Sequence, residues 1–288
     1  MIERIILARA HDLGGLIVGR VLPTAQRRSI GPFVFLDHMG PAKFEPGAGF
    51  DVRPHPHIGL ATLTYLFEGE QIHRDSLGTM QPIRPLDVNL MISGRGITHS
   101  ERATAAMREH GGGMHGLQFW LALPEHEEDC APSFHHADAC DLPLIEDEGF
   151  RGRVAVGSCA GKDSPIVFPA PAMLVDLSID ESAEAVIPLE QHEYGVYVAD
   201  GAVMIDDTLL PARTLAVLER ASEVRMRAHE PSRVAVFGGL PLEKPRKMYW
   251  NFVATDDARI ERAKEDWRDR RFPVIPGDDV EFIPLPET

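Results

Sequence analysis

Cysteine is scarce: the chain has three in 288 residues, Cys130, Cys140 and Cys159. Three thiols cannot all pair within one chain. No disulfide framework is implied, and a reducing, cytoplasmic setting is expected. Long apolar runs are also missing, and nothing approaches the roughly 20 residues needed to cross a bilayer, so no membrane partner is expected. The opening MIERIILARAHDLGG places Glu3 and Arg4 early and has no apolar stretch ahead of a small-residue cleavage site. A secretory signal peptide is therefore not expected there. Positive charge is in deficit, with 29 Lys and Arg against 44 Asp and Glu for a net charge of −15. Such a chain has no general attraction for phosphate backbones, so direct nucleic-acid binding is not expected, and basic protein surfaces are the favoured macromolecular partners. Aromatic residues are few, at 7%.

Glycine and proline are plentiful, at 25 and 23, beside 44% hydrophobic residues. That balance supports a sizeable core cut into short strands by many turns, a mostly-β protein. The length suits two domains. Strands are expected around Ile5–Leu7, Leu16–Val18, Phe33–Leu36, Ala61–Phe67, Val88–Ile92 and Leu117–Leu123. A turn is expected at Asp12-Leu13-Gly14-Gly15, and a hairpin is expected to fold Ile72–Arg74 back on Ala61–Phe67 across Glu68-Gly69-Glu70. A short helix is expected over Ala103–Arg108. Residues 125–150 are acidic and weakly periodic and read as a linker or crossing loop. A second set of strands follows, from Val154–Val156 through Val234–Phe237. YLFEGEQIH in the first half faces YVADGAVMI in the second as a weak internal duplicate. Ile260, Ala263 and Trp267 recur at helical spacing, which predicts a helix over Asp256–Arg271 followed by an extended arm.

The chemistry concentrates between Arg53 and Glu101. This stretch opens with His55-Pro56-His57 and closes with His99-Ser100-Glu101. On an extended strand, residues two apart share a face, so each motif can aim two ligand-type side chains at one point. Imidazole and carboxylate suit a borderline divalent ion, and the lack of thiolates argues against a closed structural zinc site. A lone His-Pro-His is more often a solvated turn. The second pair, on a separate strand, makes a metal the better reading. Cys130, His135, His136 and Cys140 lack the tight pairs of a zinc motif. Gly94-Arg95-Gly96 opens no helix and is read as a tight turn delivering His99 rather than a phosphate loop.

HPHIGLATLTYLFEGEQIHRDSLG followed by SGRGITHSE closely resembles the pirin family of the cupin superfamily. LQFWLALP and the closing WNFVATDDARIERAKEDW are also similar to that family, so the resemblance covers most of the chain. It implies a bicupin: two antiparallel β-barrels of jelly-roll type and a short C-terminal helix. Residues 1–130 would form the metal-binding barrel, and residues 131–288 a barrel without metal plus the helix and arm. The ligands it implies are His55, His57, His99 and Glu101, on one divalent ion. Fe(II) comes first, with Mn, Ni, Cu, Co or Zn as alternatives. The usual cupin Glu, four or five residues after the second His, is replaced here by Ala61 and Thr62. In the second half His192 and His229 stand alone, in keeping with a barrel that holds no metal.

Three further residues are candidates beside the metal. His73 is either a donor orienting a ligand or a surface histidine paired with Asp75. His115 and Arg95 are candidates for the pocket, and Leu60, Leu63 and Met91 for an apolar wall that takes a flat ring. Relatives in the family resemble quercetin 2,3-dioxygenases, which open the flavonol heterocycle with O₂ and release carbon monoxide. The resemblance therefore implies a flavonol-like aromatic substrate, with Glu101 accepting the proton of its 3-hydroxyl. It equally admits a redox-responsive iron protein that binds a transcription factor or metabolic enzyme. A metal-dependent isomerase of small polar metabolites ranks third, because only Arg53, Arg74, Arg84 and Arg95 lie in the central stretch. A monomer is expected.

Overall fold

The computed structural model describes residues 1–13 and 15–287. The turn expected at Asp12–Gly15 includes Gly14, which lies outside the described residues. Strands account for 53% of the chain and helices for 7%, which places it in the mostly-β class. Among the described residues no helix is long and apolar enough to cross a membrane.

The chain forms two compact units, and neither is one continuous stretch. One comprises residues 1–11, 18–38 and 137–241, the other residues 12–17, 39–136 and 242–288. The expected single division at residue 130 differs from this at both ends of the chain, for identifiable reasons. The Ile2–Leu7 strand pairs antiparallel with Thr214–Leu218 and so completes a sheet edge in the first unit. The Asp257–Arg268 helix buries Ile260, Ala263 and Trp267 against Ile58 and Phe252 of the second.

In the first unit, Thr214–Leu218, Glu193–Asp200, Ser232–Gly239, Ala172–Ile179 and Phe150–Val156 run side by side in one antiparallel sheet. Glu184–Pro188, Glu223–Ala228, Ala202–Ile205 and Thr208–Pro211 make another. Val175, Val196, Val203, Met226 and Val236 are among the residues packed in its core. The supposed linker is not structureless. It contains the strands Ser133–Ala137 and Leu144–Asp147, the latter paired with Phe150–Val156.

In the second unit, one sheet carries Val52–His57, Ile97–Ala103, Gln71–Asp75 and Met80–Ile83 in that order. Another places Val88–Ile92, Leu60–Glu68 and Gly112–Ala122 side by side. The hairpin expected between Ala61–Phe67 and Ile72–Arg74 does not form. The turn instead carries the chain from one sheet to the other, as a jelly-roll connection requires. Gly69 makes this crossing at φ +90°, where a side chain would collide with the Gly113 carbonyl. Gly201, at φ +74°, makes the equivalent crossing between Glu193–Asp200 and Ala202–Ile205. The faint duplication in the sequence thus marks a repeated piece of architecture, with Ile205 standing where the first copy has His73.

Beyond the helix, the chain returns extended across the outside of the first of these sheets. The Ile283 amide donates to the Pro54 carbonyl at 2.8 Å, and Trp267 Nε1 donates to the Ile283 carbonyl at 3.0 Å. Ser100 Oγ donates to Asp278 Oδ2 at 2.7 Å, and the Arg102 guanidinium donates to both Asp278 oxygens at 2.8 and 2.6 Å.

Candidate metal centre

His55 and His57 lie on Val52–His57, and His99 and Glu101 on Ile97–Ala103. In register, His99 is opposite both His55 and Asp75 on its two neighbouring strands, while Glu101 is opposite His73. The alternation of the pleat turns His55, His57, His73, Asp75, His99 and Glu101 inward. It turns Pro54, Arg74, Thr98, Ser100 and Arg102 outward.

The structure brings three of the expected ligands together. One ligand atom from each of His55, His57 and His99 lies within 4.8 Å of the others, and all three residues are buried. Burial pushes the His55 imidazole down to about 4 and holds those of His57 and His99 well below the usual histidine range. All three are therefore neutral at pH 7, the form that offers a lone pair to a metal. Hydrogen bonds decide which nitrogen is offered. His55 Nδ1 is 2.8 Å from the Arg53 carbonyl and donates to it, which frees Nε2. His99 Nε2 and both ring nitrogens of His57 are buried without a hydrogen-bond partner of good geometry, although the Asn251 backbone lies near enough to His57 to favour its protonated form slightly. Buried unpaired nitrogens are costly, and converging ones are satisfied by a shared metal ion. The donor set therefore fits a divalent metal.

Glu101 stands at the edge of this group. Its Oε1 is 3.6 Å from His99 Nδ1, and its Oε2 is buried without a partner. Its oxygens do not join the three imidazoles within the same 4.8 Å, so a four-ligand set requires the side chain to rotate. Burial pushes its carboxyl up to about 8.

His73 is a buried residue rather than a surface one, and it has both of the contacts foreseen for it. Its Nε2 is 3.1 Å from Asp75 Oδ2, its Nδ1 is 3.4 Å from His99 Nδ1, and its ring stacks on Phe134 at 4.5 Å. Burial pushes the Asp75 carboxyl up, but the hydrogen bond and charge of His73 outweigh this and hold it below the usual value. His115 lies elsewhere. It packs edge-on to Phe67 and is opposite Glu68, whereas Trp120, five residues along the same strand, touches His57. Five residues of strand span roughly 17 Å. Arg95 is exposed, and its turn is fastened from behind by its amide donating to the Cys130 carbonyl. Cys130, His135, His136 and Cys140 do not cluster with one another; His136 groups instead with Asp87 and Asp138.

The opposite wall was anticipated only at Leu60 and Met91; Trp120 and its polar residues were not. Trp120 meets His57 edge-on at 5.4 Å, which marks its face of the sheet as the one turned to the imidazoles. Trp120, Thr62 and Met91 are aligned across three strands, as are Gln118, Thr64 and Asn89. Leu60 shares this face, but Leu63 is on the other with Leu90 and Phe119. The wall is thus mixed: Leu60, Met91 and Trp120 are apolar, while Thr64 donates to Gln118 at 2.9 Å and Asn89 Nδ2 is buried without a partner. Thr62 and Thr64, alternating in an otherwise apolar strand, were the available signal.

Comparison with known proteins agrees with this geometry. The Pirin family model matches residues 15–121, and the Pirin C-terminal cupin domain model matches residues 174–273. A Caulobacter vibrioides protein named "Pirin-like protein" is 47% identical over 100% of both chains. A Pseudomonas aeruginosa protein named "Putative quercetin 2,3-dioxygenase" is 36% identical over 99% of this chain and 91% of its own. A crystal structure titled quercetin 2,3-dioxygenase from Acinetobacter baumannii superposes with a TM-score of 0.92 at 38% identity, covering 99% of this chain and 95% of its own.

Proposed function

The chain belongs to the pirin family, and from that premise we propose that it is a mononuclear metal dioxygenase that opens flavonols with O₂. The reading rests on one observation above the rest, the convergence of three neutral, buried imidazoles beside a carboxyl that carries an unpartnered oxygen. It draws further support from relatives named for the quercetin reaction. His55, His57 and His99 would hold the ion, Fe(II) in this proposal, with Glu101 completing the set. The ion would supply Lewis-acid and redox chemistry for the reaction with O₂.

The protein's own groups do the rest. The 3-hydroxyl of a flavonol must lose its proton before the ring can be attacked. Glu101 Oε2, buried and unpartnered, would accept it once the carboxyl is ionised, and the burial that raises this group to about 8 makes its carboxylate a strong base. Trp120, Met91 and Leu60 offer a flat apolar surface to the ring system. Gln118 and Asn89 offer hydrogen bonds to its oxygens. The test is aerobic turnover of quercetin by iron-loaded protein, followed by oxygen uptake and loss of flavonol absorbance. Turnover that depends on metal and vanishes in His57→Ala supports the reading. A metal-loaded protein that consumes no oxygen with any flavonol overturns it.

A further inference from the structure

A second cavity lies on the outer side of the sheet that carries the imidazoles, between that sheet and the returning C-terminal segment. It has a volume of about 370 Å³. Pro54 and Thr98 line its sheet side, and Trp267, Phe272, Ile275 and Phe282 line the remainder. Each of the first two directly precedes a metal ligand in sequence, His55 and His99 respectively. Neighbouring residues on a strand face opposite ways, so this cavity and the metal centre sit back to back with one layer of backbone between them.

We propose that this cavity is a binding site for a small, flat aromatic molecule that is neutral or cationic and carries one hydroxyl or carbonyl group. The volume falls in the range of ligand pockets and accommodates a fused bicyclic ring. Three aromatic side chains supply stacking and edge contacts. The polar requirement comes from Thr98. It is 3% exposed, and its hydroxyl is buried without a hydrogen-bond partner. A buried hydroxyl with nothing to bond is costly, and a ligand oxygen at this wall would satisfy it. The rim sets the charge. Asp278, Asp279 and Glu281 border the cavity against Arg270, whose guanidinium lies 3.4 Å from the Phe282 ring centroid, and against Arg102, which pairs with Asp278 and Glu281. One carboxylate is left in excess, so anions are disfavoured. The inference does not depend on the metal centre being catalytic.

The probe is 2-naphthol, titrated calorimetrically into the whole protein. One saturable site is expected, weakened roughly five- to tenfold by Thr98→Val and retained by Thr98→Ser. Binding should persist in His57→Ala, where the metal pocket is disabled. A second measurement needs no variant at the site. In protein labelled with 5-fluorotryptophan, the ¹⁹F resonance of Trp267, assigned with Trp267→Phe, should shift on saturation, while that of Trp120 beside His57 stays still. No saturable binding overturns the proposal. So does a shift confined to Trp120, or binding that survives Thr98→Val unchanged and is lost in His57→Ala.

Discussion

His73 and His99 face each other through their Nδ1 atoms at 3.4 Å, and His73 turns its Nε2 to Asp75 at 3.1 Å. Read as a chain of hydrogen bonds with His73 neutral and Asp75 ionised, this sets each tautomer in it. The Asp75 carboxylate accepts from His73 Nε2. His73 Nδ1 is then a lone pair, so His99 must carry its proton on Nδ1 and present a bare Nε2. The protein thereby decides which nitrogen of His99 meets a metal.

Breaking that chain should loosen the metal without unfolding the barrel. His73→Ala or Asp75→Asn is expected to weaken metal affinity by roughly 10- to 100-fold, measured by competition with a chelator. In the cobalt(II)-loaded protein, one exchangeable, paramagnetically shifted N–H resonance should disappear with it. Affinity and spectrum both equal to wild type would remove the orienting role.

Glu101→Gln separates a ligand from a proton acceptor. Glutamine keeps the shape and an oxygen donor but cannot take a proton. Flavonol turnover should fall roughly 100- to 10,000-fold while bound iron, measured by elemental analysis, stays near one per chain. Loss of the metal itself would assign Glu101 to holding the ion instead.

The metal-free protein should be most stable near pH 6.5. Below that value the unfolded histidines take up protons that His55, His57 and His99 refuse when buried. The unfolded state then binds more protons, and stability falls as pH drops from 6.5 towards 4. Glu101 acts in the opposite sense. Its carboxyl is raised from 4.5 to about 8, so its contribution is full below 4.5 and is lost as pH rises through 8. Three histidines outweigh one carboxyl on the acid side, and the carboxyl governs the alkaline side. Melting temperatures recorded from pH 5 to 9 should trace this maximum, and Glu101→Gln should flatten the alkaline limb.

Asp278→Asn removes one charge of a largely buried pair with Arg102, whose side chains are 12% and 16% exposed. A cost of about 1–3 kcal/mol in denaturant unfolding is expected, because the Arg102 guanidinium loses its two-oxygen partner. Unchanged stability would mean that Glu281, 2.9 Å from Arg102, compensates.

The grouping of the three histidines was legible in the sequence because its information is local. His-x-His and His-x-Glu state by their spacing alone that two side chains share a face, and the structure brings His55, His57 and His99 together. What depended on pairing between distant strands was legible only in part. His73 was a candidate from its place beside Asp75, but its burial and its contact with His99 rest on its standing opposite Glu101 and diagonal to His99. The polar wall of Thr64, Gln118 and Asn89 rests on three strands coming into line. Leu63 was assigned to the pocket for its hydrophobicity, but in a strand buried on both sides hydrophobicity does not reveal facing. Glu68-Gly69-Glu70 carries an ordinary hairpin signal, and nothing local distinguishes a turn within one sheet from a crossing between two.

The interleaved make-up of the two units has a consequence for synthesis. The Ile2–Leu7 strand pairs with Thr214–Leu218, so it leaves the ribosome roughly two hundred residues before its partner, whereas the strands at 17–22 and 33–44 share a sheet with Gly112–Ala122. The unit with the candidate metal centre waits longer still, because Phe252 and the Asp257–Arg268 helix that cover Ile58 are made well after it. A nascent chain halted at residue 130 would already hold all three histidines. It would lack both the partner of its first strand and the cover of its core. Capture of a metal at the three histidines during translation would therefore come late, after residues 252–268 have been made.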